Sequence, residues 1–128
     1  MRTTVLMSLS AVFMGILGVA ASFMPQEILA HLGSAPNASI TLLIQTAGAL
    51  YFGFAILNWM ARSIMIGGIY ARPVALGNFF HFVVASLAGW KAVAAGPIAS
   101  RILLTACCFY TAFALWFGLV LFTHPQRD

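Results

Sequence analysis

The chain has 128 residues, 62% of them hydrophobic and 6% charged, with mean hydropathy +1.02; a water-facing globule carries roughly 25% charged residues, so lipid must solvate much of this surface. The net charge of +4 is spread singly along the chain, which suits phosphate headgroups at a bilayer and excludes the basic patch that nucleic acid requires. Only two acids are present, so acid–base catalysis by paired carboxylates is excluded too.

The first apolar run spans Thr4 to Met24. Arg2, the run from Val5 and Val19-Ala20-Ala21 imitate a signal peptide with a cleavage site. The run continues to Met24 with small residues at helical spacing, and we read it as a first transmembrane helix. Pro25-Gln26-Glu27 then opens a short segment through Leu32 that Gly33 can end, since an initial proline, an early acid and a following glycine are start and stop signals. This predicts a short interfacial helix, followed by a turn at Ser34-Ala35-Pro36-Asn37. Asn37-Ala38-Ser39 matches a glycosylation acceptor, a pattern frequent by chance.

A second run covers Ser39 to Met60. The following loop, Arg62 to Arg72, is too apolar for a solvated loop and too short to span, so it is expected in the headgroup region, bent at Gly67-Gly68. Pro73 opens the third run, to Ala94, where proline is tolerated at a helix start. A tight turn around Ala95-Gly96-Pro97 leads to the fourth, Ile98 to Phe122. About 20 apolar residues cross the hydrocarbon as a helix, and lipid offers no partner for an unpaired amide. Long uninterrupted runs also argue against a barrel. The expected fold is therefore all-α: one domain over residues 1–128, with four antiparallel transmembrane helices and a short interfacial helix after the first.

Basic residues orient such a chain. Arg2, Arg62, Arg72 and Arg127 share one side, and Lys91 and Arg101 the other. Both termini are thus expected in the cytoplasm of a bacterial inner membrane. Membrane helices associate through small residues and interhelical hydrogen bonds, so stripes of such residues should mark the interior. These are Thr4, Ser8, Ala11, Gly15, Gly18 and Ser22 on the first helix, and Thr41, Gln45, Gly48 and Ala49 on the second. The third has Asn78, His81, Ala85 and Gly89, with Phe80, Val83, Leu87 and Trp90 opposite. The fourth has Arg101, Thr105, Cys108 and Ala112, with Tyr110, Phe113 and Phe117 pointing elsewhere.

Ionisable residues at membrane depth are costly and point to function. His81 is the leading case, near the middle of the third span, with Asn78 one turn away on the same face. Gln45 on the second span and Thr105 or Cys108 on the fourth are expected to converge on it, forming a small polar pocket that holds a ligand or relays a proton. The plainer alternative is a neutral core histidine satisfied by a neighbouring helix. Arg62, Tyr70 and Arg72 form a second group, suited to anchoring or to an anionic headgroup. Cys107 and Cys108 are expected to be inert buried thiols.

Other chemistries lack parts. Bis-histidine haem needs a second histidine at the depth of His81, whereas His31 and His124 lie near interfaces. A buried Schiff-base lysine is missing, because Lys91 is within snorkelling reach of an interface. No Cys/His cluster has zinc spacing. No metal or cofactor is therefore expected.

Gly67-Gly68-Ile69-Tyr70-Ala71-Arg72-Pro73, continuing to Asn78-Phe79-Phe80-His81-Phe82, resembles segments of small bacterial membrane proteins. With its four spans and proline-led first loop, the chain is similar to the DoxX-like group. That resemblance implies a four-helix inner-membrane bundle, with members proposed as accessory subunits of oxidoreductases, and carries over no catalytic residues. The preferred function is a non-enzymatic accessory or small-ligand- or lipid-binding membrane subunit, in contact with the bilayer and with further copies or a larger membrane complex. Second comes a homo-oligomeric channel or transporter lined by Gln45, Asn78 and His81. Third is a membrane enzyme acting on a lipid or quinone.

Overall fold

The computed structural model describes residues 2–64, 71–96 and 101–123. They form five helices: α1 (Arg2–Phe23), α2 (Pro25–His31), α3 (Ala38–Ala61), α4 (Ala71–Ala94) and α5 (Arg101–Phe122). Four of these are long and apolar enough to cross a membrane, and each predicted span matches one of them within about three residues at either end. The chain has the make-up of a multi-pass membrane protein. Gly67-Gly68, Tyr70, Pro97, His124 and Arg127, on which parts of the sequence reading rest, lie outside the described residues.

The chain divides into two compact units. One is Ser8–Met60; the other is Met1–Met7 with Ala61–Asp128.

In the first unit, α1 and α3 approach closely because small residues face each other. A Cβ on Gly18 would meet the Phe52 amide nitrogen at 2.8 Å, and one on Gly48 would meet the Ser22 amide nitrogen at 2.8 Å. A Cβ on Gly15 would meet the Ala55 Cβ at an ordinary 3.7 Å. Early α3 thus lies beside late α1 and late α3 beside early α1, so the two run in opposite directions. From Gly15 to Ser22 the predicted α1 stripe is the contact surface.

The link between them is built from local chemistry. Pro25 stands in the first turn of α2, where a missing N–H costs nothing. At the other end, Gly33 takes φ +71°, and Ser34 N–H donates to the Leu29 carbonyl while Gly33 N–H donates to Ala30. This paired arrangement closes a helix with glycine in the left-handed region. Asn37 then caps α3: its Oδ1 accepts from the Ser39 and Ile40 amides at 2.9 and 3.4 Å. The asparagine of the apparent glycosylation triplet has this structural use.

The second unit is dominated by α4 and α5, which also run in opposite directions. Phe79 seats on Gly118, Ser86 bonds Thr111, and Gly89 faces the Cys107 sulfur. At the centre Phe82, fully buried, stacks on Phe113 and Phe117 with ring centroids 4.9 and 5.7 Å apart. This corrects the face expected for α5. Tyr110, Phe113 and Phe117 are buried, while Arg101, Thr105, Cys108 and Ala112 are exposed. Interlocking rings, rather than small residues, make this contact. Cys108 is accordingly an exposed thiol, and only Cys107 is buried.

Candidate functional site

Ten residues into α4, about 15 Å along the helix at ~1.5 Å per residue, His81 sits against the aromatic core. Its ring centroid lies 5.2 Å from Phe82 and 5.9 Å from Tyr110. The side chain is half-buried, whereas Tyr110 beside it is buried. Asn78, one turn earlier, is fully buried and its Nδ2 donates to the Val74 carbonyl of its own helix at 2.8 Å. A neutral imidazole offers one donor and one acceptor, and a phenol offers both. Two ring side chains with polar tips therefore lie side by side between α4 and α5.

Two of the other residues expected at this site, Thr105 and Cys108, lie elsewhere on α5. Thr105 is exposed and its hydroxyl donates to the Arg101 carbonyl of its own helix. The register of α4 on α5 sets Cys107 against Gly89. Thr105 and Cys108 therefore stand about two to three turns from the level of His81. Gln45 belongs to the first unit, where its Nε2 donates to the Ser22 carbonyl at 3.5 Å. In the headgroup group, Arg62 is half-buried in the turn after α3 and Arg72 is exposed in the first turn of α4.

Two polar clusters were not picked out from the sequence. In the first unit Asn58 is fully buried; its Nδ2 donates to Ser10 Oγ at 3.1 Å and lies 3.7 Å from the Met14 sulfur. In the second, the Thr111 hydroxyl donates to the Cys107 carbonyl at 2.7 Å and accepts from the Trp90 indole N–H at 2.9 Å. A hydroxyl has one proton to give, so the 2.8 Å contact with Ser86 must be donated by Ser86. Trp90, expected on the opposite side of α4, thus reaches across to α5. The signal for both clusters was an amide or hydroxyl inside an apolar run, since such groups seek a partner helix.

Among the described residues, no three or more His, Cys, Asp or Glu side chains group so as to hold a metal ion. Comparison of the chain with family models, with curated proteins and with solved structures gives no match.

Proposed function

We propose that this chain is a non-enzymatic membrane subunit that holds a small ligand or a lipid beside His81. The observation that carries this reading is the half-buried His81 ring set against buried Tyr110 at mid-span. Nearby polar groups are spent differently: Ser86, Thr111 and Trp90 bond one another between α4 and α5. The ligand that suits the site has a polar group for the imidazole and an apolar body for the aromatic wall around Phe82.

The proposal extends to the setting. The four long helices cross a bacterial inner membrane in antiparallel fashion, with α2 at the membrane surface. Both termini are cytoplasmic, as the excess of arginines on that side favours. Arg62, Tyr70 and Arg72 then meet anionic headgroups. The likeness to the DoxX-like group belongs to this proposal too, as does association with further copies or a larger membrane complex.

The test is purification from native membranes, with mass spectrometry of what co-purifies. His81→Leu and Tyr110→Phe should each lose a species that the unaltered chain retains, while helix content and detergent stability persist. Retention of the same species at the same ratio in both variants would overturn the assignment.

A further inference from the structure

We draw no further inference here: the strongest candidate, the exposed face of α3 carrying Thr46, Ala49 and Gly53, is a small-residue stripe on an apolar surface, and nothing in the structure shows what covers it.

Discussion

Burying the Asn58 amide completely removes it from every solvent partner, and the helix opposite must replace what is lost. Ser10 does so with a hydroxyl at 3.1 Å. Interhelical hydrogen bonds of this kind contribute about 0.6 kcal/mol on average in membranes, and up to about 2 kcal/mol. Asn58→Leu and Ser10→Ala should each lower stability in detergent unfolding, and the double variant should cost less than their sum by roughly 0.6 kcal/mol. Strict additivity in that cycle would show that the pair is not coupled. The amide was hard to find in the sequence because it lies near the end of its apolar run. There, headgroups and water are the expected partners, and a short side chain such as Ser10 is common in any packed helix. His81 stands out in the sequence for the opposite reason: an ionisable ring far inside an apolar run is costly. Its neighbour Tyr110 was missed because a tyrosine among phenylalanines reads as one more bulky apolar side chain.

Between elements, contact is made in two ways, and the glycines separate them. On α1, Gly18 faces backbone atoms of Phe52 and Gly48 that cannot rotate away. Gly18→Ala should therefore cost about 1–3 kcal/mol, the usual range for overpacking. Gly53, on the same helix pair, has nothing within 4 Å of a Cβ. Gly53→Ala should be neutral, or stabilising by up to about 1 kcal/mol from helix propensity. Thermal unfolding of both variants in one detergent makes the comparison, and equal losses would mean that the α1–α3 contact is misplaced. On α4 and α5 the contact is aromatic. Phe82→Ala removes a ring stacked on two others and should cost about 3–5 kcal/mol, whereas an exposed ring such as Phe80 should be replaceable by Leu at little cost. A denaturation midpoint unmoved by Phe82→Ala would refute this core. Small-residue patterning succeeded on α1 and failed on α5 for one physical reason. In lipid both faces of a helix are apolar, so hydropathy does not mark the interior, and only packing shape does. Small residues permit close approach but do not require it. Thr105, Cys108 and Ala112 line an exposed face, while rings of matching shape fill the contact.

For the whole molecule, the spans were readable from length alone, because crossing about 30 Å of hydrocarbon imposes a minimum apolar run on any helix. Orientation rests on a different force, the retention of basic residues on the cytoplasmic side. Reporter fusions after Asp128 should be active only in the cytoplasm; activity confined to the far side would reverse the proposed topology. The pairing of α1 with α3 and of α4 with α5 also bears on the order of events during synthesis. Each partnership joins consecutive long helices, so neither waits for a distant part of the chain. By the time Ala61 has been added, every group in the Gly18, Gly48 and Asn58 contacts has been made. A further 67 residues, Arg62 through Asp128, follow, and adding them takes several seconds at roughly 5–20 residues per second. The first pair can therefore mature, or be recognised as defective, while the second is still being translated. A lesion at Gly18 exposes the nascent chain to quality control early, and one at Phe82 only after α5 has also been made.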